Sequence, residues 1–189
     1  MTLLSVLWSV VALFPVSEIA LNLLRRSREP SAGTLDRGSL RLLWIAIAVG
    51  LVGAIAAQWV PAAGMPAPLR TLRLLALVLI IAGMAIRWAA ILTLGRFFTV
   101  DVAIQKDHSV VDRGLYRFVR HPSYAGMLLA FVGVGVSFAN WLSFVLLLVP
   151  ITLAVMNRVA REEQALLAAL GAPYADYCRR TKRLIPGLL

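Results

Sequence analysis

The densest run of reactive side chains lies between His108 and Tyr124, in the stretch HSVVDRGLYRFVRHPSY. Its imidazoles, guanidiniums, phenols and hydroxyls suit the binding of anions and the positioning of a polar ligand. Part of its backbone is dictated by sequence. A residue before proline is pushed out of the α region, so His121 ends one segment, and Pro122 suits the first turn of the next helix. The first-turn amides around Ser123 and Tyr124 then lack intrahelical partners and can receive a carboxylate or phosphate. The same residues equally suit an interfacial anchor. In that reading Pro122 caps a membrane helix, Tyr116 and Tyr124 join an aromatic belt, and Arg113, Arg117 and Arg120 meet lipid phosphates.

A second cluster is RVAREEQ, where Arg158 and Glu162 stand four residues apart on one helix face. Arginine precedes glutamate, the weaker order for a simple surface pair, and the cluster directly follows an apolar run. Charges at such a place are costly unless they pair or line a cavity, so convergence of Arg120, His121, Arg158 and Glu162 would mark a functional site. Glu18 and Asn22 are expected to pair with Arg25 or Arg26, and Arg87 and Arg96 to extend towards the interface. The two histidines, 13 residues apart and outside any HExxH pattern, do not make a metal site. The single cysteine, Cys178, excludes disulfide frameworks and cysteine-ligated metals. Without GxGxxG or P-loop patterns, a conventional Rossmann domain or NTPase is not expected.

The elements that must position these groups are membrane helices. With 60% hydrophobic residues in 189, the chain has more apolar surface than one soluble core of that size can hide. Three runs reach the roughly 20 residues needed to cross a bilayer: about 3 to 24, 40 to 60 and 70 to 94. The first lacks a basic leader and a cleavage site and is read as a retained span. Arginines crowd between the first two runs, at Arg25, Arg26, Arg28, Arg37 and Arg41, whereas Arg70 alone lies between the next two. The positive-inside rule then puts the first connection in the cytoplasm and the N-terminus outside. The net charge of +10 is spread between and after apolar runs, which suits membrane orientation and not nucleic acid.

Residues 96 to 122 are too polar to span and should lie at the cytoplasmic interface. Ser123 to Phe138 and Trp141 to Met156 read as a tight helical hairpin, with Pro150 kinking its second arm and Gly126, Gly133 and Gly135 allowing close approach. From Asn157 an amphipathic helix follows, interrupted near Gly171 to Pro173. The expected architecture is all-α and polytopic, with about five transmembrane helices. Residues 1–95 form a three-span region and residues 96–189 a catalytic region of connector, hairpin and amphipathic C-terminal helix.

These motifs in this order, H-x-V-V, G-x-Y, RHPSY, R-x3-E and a terminal Y-x2-Y with RLIP, resemble the isoprenylcysteine carboxyl methyltransferase family, within a broader group that includes membrane phospholipid methyltransferases. The resemblance covers about residues 96 to 186, and the N-terminal spans agree only in kind. It implies a five-span enzyme holding S-adenosylmethionine in a cytoplasm-facing pocket. By that resemblance His108, Ser109, Val110 and Val111 form the first cofactor strip, Tyr116 a wall, and His121, Pro122, Ser123 and Tyr124 the central segment. Glu162 resembles the cofactor-contacting acid, Arg158 the substrate-facing arginine, Arg120 a further substrate-side residue, and Asp101 a loosely aligned contact.

The residue types fit such chemistry. Methyl transfer from a sulfonium is an in-line displacement, so alignment and exclusion of water matter most. A carboxylate acceptor, with an intrinsic pKa of about 3.5, is already ionised and needs no base, and arginine can bind it bidentately. The expected partner is a lipophilic, prenylcysteine-like substrate reached from the membrane lipids, with Gly126, Gly133 and Gly135 leaving room for its tail. N-methylation of a phospholipid amine, which would need a base such as Glu162 or His121, or S-methylation of a small thiol, remains the alternative, with a non-enzymatic scaffold behind them.

Overall fold

The computed structural model describes residues 2–24, 36, 38–100 and 109–185. Among the described residues six α-helices can be delimited, in order α1 (Leu3–Leu24), α2 (Ser39–Ala57), α3 (Leu69–Leu94), α4 (Pro122–Ser137), α5 (Trp141–Leu170) and α6 (Ala172–Arg180), and no strand occurs. Four segments are long and apolar enough to cross a membrane: Leu3–Leu21, Ser39–Ala57, Leu69–Phe97 and Trp141–Leu170. This is the all-α architecture of a multi-pass membrane protein. Helix α4, with 16 residues, reaches about 24 Å at 1.5 Å per residue and falls short of a hydrocarbon core about 30 Å thick.

The hairpin differs from expectation in its second arm. Helix α5, 30 residues long, runs unbroken through Met156 to Leu170, so Arg158 and Glu162 belong to the same helix as the apolar residues before them. The amphipathic segment after Asn157 is therefore the end of a long helix. It stops at Gly171, whose φ of 60° a helix interior does not allow, and α6 starts again with Pro173 in its first turn. At the other end Asn140 caps α5 by accepting from the Ser143 amide at 3.0 Å, and its amide group donates to Val60 O at 3.0 Å.

Two helix pairs build the core. Antiparallel α3 and α4 meet backbone to backbone through glycines: a Cβ on Gly126 would lie 2.6 Å from Gly83 O, and one on Gly133 would lie 2.8 Å from Ala76 O. In α4, Gly126 and Gly133 thus serve helix contact, and Gly135 is covered by Phe144, so these glycines leave no space for a lipid tail. Helices α2 and α5 meet where Gly50 faces the Leu147 backbone and Ser143 Oγ donates to Ala54 O at 2.7 Å. Helix α1 joins through an edge-to-face contact of Phe14 on Phe131, with ring centres 5.1 Å apart.

The connector and the tail interlock. Arg120 N donates to Lys182 O at 2.7 Å, His121 N to Arg183 O at 2.9 Å, and Tyr177 Oη to Tyr116 O at 2.7 Å. The segment entering α4 is thereby held against the chain that follows α6.

Candidate functional site

A cavity of about 240 Å³ opens between the ends of these elements. Its apolar arm runs along α1, α2 and α4, past Val11, Phe14, Leu43, Trp44, Ile47 and Phe131. Its polar end is made by Ser109–Val111, Tyr116, the start of α4 and the last turns of α5. Of the residues singled out by sequence, Ser109, Val110, Val111, Tyr116, Arg120, His121, Ser123, Tyr124, Arg158 and Glu162 all line it. Pro122 is buried in the first turn of α4 without lining the cavity. His108 and Asp101 lie outside the described residues, as do Arg25, Arg26, Arg28 and Arg37.

The centre is a directed relay. Arg158 Nε donates to Tyr124 Oη at 2.9 Å, and Tyr124 Oη donates to Glu162 Oε2 at 2.9 Å. Arg158 and Glu162 therefore do not form the simple i, i+4 pair that their spacing suggests, because a tyrosine from α4 stands between them. Arg158 is only 2% exposed, so its charge must be met from within. Its Nη1 donates to Asp36 Oδ1 at 2.7 Å and Ser39 Oγ at 2.9 Å, and its Nη2 donates to Val100 O. Burial alone would raise the Asp36 pKa, but the Arg158 guanidinium, the Leu40 amide and the Ser39 hydroxyl together hold it below the ordinary carboxylate value.

A second buried arginine supports the adjoining residue. Arg87, 6% exposed, donates through Nε and Nη2 to the Glu18 carboxylate, and through Nη1 to Ser123 Oγ at 2.9 Å and Ser123 O at 3.2 Å. The sequence expectation of Arg87 extending to the interface is thus replaced by a buried link from α1 through α3 to α4, while the expected partners of Glu18, Arg25 and Arg26, lie outside the described residues. Ser123, expected at an anion site, turns its hydroxyl to this guanidinium. Two acids from the N-terminal half, Glu18 and Asp36, consequently neutralise the two arginines that fix Ser123 and Tyr124. No sequence signal could have found them, since 69 and 122 residues separate the partners.

Arg120 is held on the tail side. Its Nε donates to Glu163 Oε1 at 2.8 Å and its Nη1 to Cys178 O at 3.1 Å, while Arg183 Nε reaches Glu163 Oε2 at 2.9 Å. His121, 4% exposed, lies between the two glutamates, with Nε2 3.4 Å from Glu163 Oε1 and Nδ1 4.0 Å from Glu162 Oε1. Burial pushes the Tyr116 phenol well above its ordinary value, and the Glu162 carboxylate adds to the shift, so Tyr116 stays neutral.

This donor set fits a ligand that combines a cationic amino acid end with a flat heterocycle. Glu162 Oε1 has no hydrogen-bond donor among the described residues, the Tyr174 hydroxyl and His121 Nε2 are buried without hydrogen-bond partners among them, and Val110, Val111 and Tyr116 supply apolar walls. Among the described residues, no group of three or more His, Cys, Asp or Glu side chains could hold a metal.

Comparison with known proteins gives these features a context. Residues 75–168 match the sequence model described as the isoprenylcysteine carboxyl methyltransferase (ICMT) family. Protein-S-isoprenylcysteine O-methyltransferase A of Arabidopsis thaliana is 37% identical over 112 residues, covering 58% of this chain and 57% of that protein. The Mus musculus protein-S-isoprenylcysteine O-methyltransferase is 30% identical over 112 residues, covering 58% of this chain and 40% of that protein. This chain thus covers less than two thirds of these curated relatives. A solved structure of the eukaryotic intramembrane Ras methyltransferase ICMT superposes with a TM-score of 0.66 at 26% identity, over 98% of this chain and 67% of that one.

Proposed function

We propose that this chain, whose residues 75–168 match the isoprenylcysteine carboxyl methyltransferase family, transfers a methyl group from S-adenosylmethionine to the carboxylate of a lipophilic, prenylcysteine-like acceptor. The observation that carries this reading is one continuous cavity with the Arg158–Tyr124–Glu162 relay at one end and a hydrocarbon-lined arm at the other. A polar head and an apolar tail on one acceptor fit those two ends.

S-adenosylmethionine, when bound, supplies an electrophilic methyl group on a sulfonium sulfur. Glu162, the strip Ser109–Val111, Tyr116, His121, Ser123 and Tyr124 would hold it, with Tyr116 as a neutral wall; His108 and Pro122 are assigned to the same cofactor segment by the family resemblance alone. The acceptor carboxylate is drawn to the Arg158 guanidinium, with Arg120 adding positive potential from the tail side. Since that carboxylate is ionised at neutral pH, no residue has to remove a proton, and the chain's task is to align and desolvate the reacting groups. The apolar arm takes up the lipid portion from the bilayer. The polar end faces the cytoplasm, the side on which the basic connection between the first two spans is expected.

Purified protein in lipid vesicles is incubated with methyl-radiolabelled S-adenosylmethionine and separate panels of prenylcysteine acids, phospholipids and thiols. Label released by mild base, as from a methyl ester, in the first panel supports the assignment. Stable label in an amine or thioether product would overturn the acceptor, and label in no panel would overturn the activity.

A further inference from the structure

Arg158 is already engaged by a carboxylate of its own chain. A guanidinium carries five N–H groups and receives a carboxylate bidentately through two neighbouring ones on one edge. Here the Nε–H serves Tyr124, Nη1 serves both Asp36 and Ser39, and Nη2 serves Val100 O, so among the described residues one N–H is left over and no edge stands free. Bidentate capture of an acceptor, as expected from arginine at this place, requires one of these partners to leave.

The partners are not equivalent. Tyr124 Oη, Ser39 Oγ and Val100 O are neutral, and among the described residues Asp36 supplies the single negative charge bonded to this guanidinium. An arriving acceptor carboxylate beside an undisturbed Asp36 would place two like charges on one buried cation. Exchange of one carboxylate for the other keeps the charge balance. Asp36 is also the partner with somewhere to go. It precedes α2, its side chain is 11% exposed against 2% for Arg158, and besides Arg158 it accepts from two groups at the start of α2, Ser39 Oγ on Oδ1 at 2.9 Å and the Leu40 amide on Oδ2 at 3.2 Å. Those bonds to the start of α2 can persist when Oδ1 leaves the guanidinium.

We propose that Asp36 sets the affinity for the acceptor, its carboxylate holding the Arg158 N–H groups that the acceptor carboxylate takes over on binding. This rests on the reading that Arg158 faces a carboxylate acceptor. It adds a specificity role: a neutral acceptor cannot displace Asp36, so the residue selects for an anionic head group.

The test compares wild type with Asp36→Asn, which keeps the shape and removes the charge. The KM for a prenylcysteine acid should fall roughly tenfold, the factor carried by one charge-assisted hydrogen bond, with kcat changed far less. Inhibition by the neutral carboxamide counterpart should stay unchanged, a split that loss of a merely structural contact would not give. A second measurement uses the unaltered protein, so it stands even where the variant does not fold. With aspartate 13C-labelled at the carboxyl, the Asp36 resonance, assigned through Asp36→Glu, should move towards the value of a water-exposed carboxylate as the acid is added. An active wild type whose resonance does not move, or whose Asp36→Asn variant has an unchanged or raised KM, overturns the inference and leaves the methyl transfer reading intact. A wild type without methyl transfer to any acid removes that reading and the inference together.

Discussion

Replacing Tyr124 with phenylalanine removes one oxygen and keeps the ring that packs in α4. That oxygen accepts from Arg158 Nε at 2.9 Å and donates to Glu162 Oε2 at 2.9 Å, so two charge-assisted hydrogen bonds are lost at once. Such bonds contribute about 1.5–3 kcal/mol each, which sets an upper bound of about 3–6 kcal/mol. The net effect is smaller, because Arg158 keeps Asp36, Ser39 and Val100 O, and the Glu162 side chain, 30% exposed, can turn to water. A loss of about 2–3 kcal/mol remains, a factor of roughly 30 to 150 in kcat/KM. The assay is labelled methyl transfer in vesicles, with calorimetric binding of S-adenosylhomocysteine measured alongside. Weaker binding of this product is expected too, since Glu162 loses its fixed orientation. A Tyr124→Phe enzyme within twofold of wild type in both quantities would refute the role given to the relay.

Other consequences can be checked on the same preparation. Arg158→Ala should abolish turnover while S-adenosylhomocysteine still binds; surviving turnover would show that another group receives the acceptor. Gly126→Ala drives a Cβ to within 2.6 Å of the Gly83 carbonyl and should destabilise the protein by about 3 kcal/mol, the upper end for overpacking, whereas Gly53→Ala meets only the Leu146 side chain, at 3.5 and 3.7 Å, and should melt like wild type. Asp36 has a depressed pKa in the fold, so its contribution to stability is fully present above the ordinary value of 3.8 and is lost as pH falls through the lower, folded value. Melting curves of wild type should therefore carry an acid limb there that Asp36→Asn lacks, and equal limbs would contradict the ion pair.

The parts legible in sequence are those that depend on local chemistry. Apolar runs gave the first three spans within a few residues, the break before Pro122 located the start of α4, and Gly171 located the stop of α5. The polarity of Asn157 and Arg158 reads as an exit from the membrane, yet a helix continues wherever its backbone bonds do, and α5 does not break there. Long-range pairs left no trace. Glu18 beside Arg87, and Asp36 beside Arg158, are brought together by packing of helices far apart in the chain. Glycine spacing signalled close approach, but its target, the α3 backbone and not a lipid, depends on which helix arrives.

The most direct test is an experimental structure of the protein in lipid with S-adenosylhomocysteine and a prenylcysteine acid. The expected result has the amino acid end of the nucleoside at Glu162, the acid's carboxylate at Arg158 and its tail between Phe14 and Trp44. Ligand density outside the space shared by Tyr124 and Glu162 would contradict the assignment of this cavity.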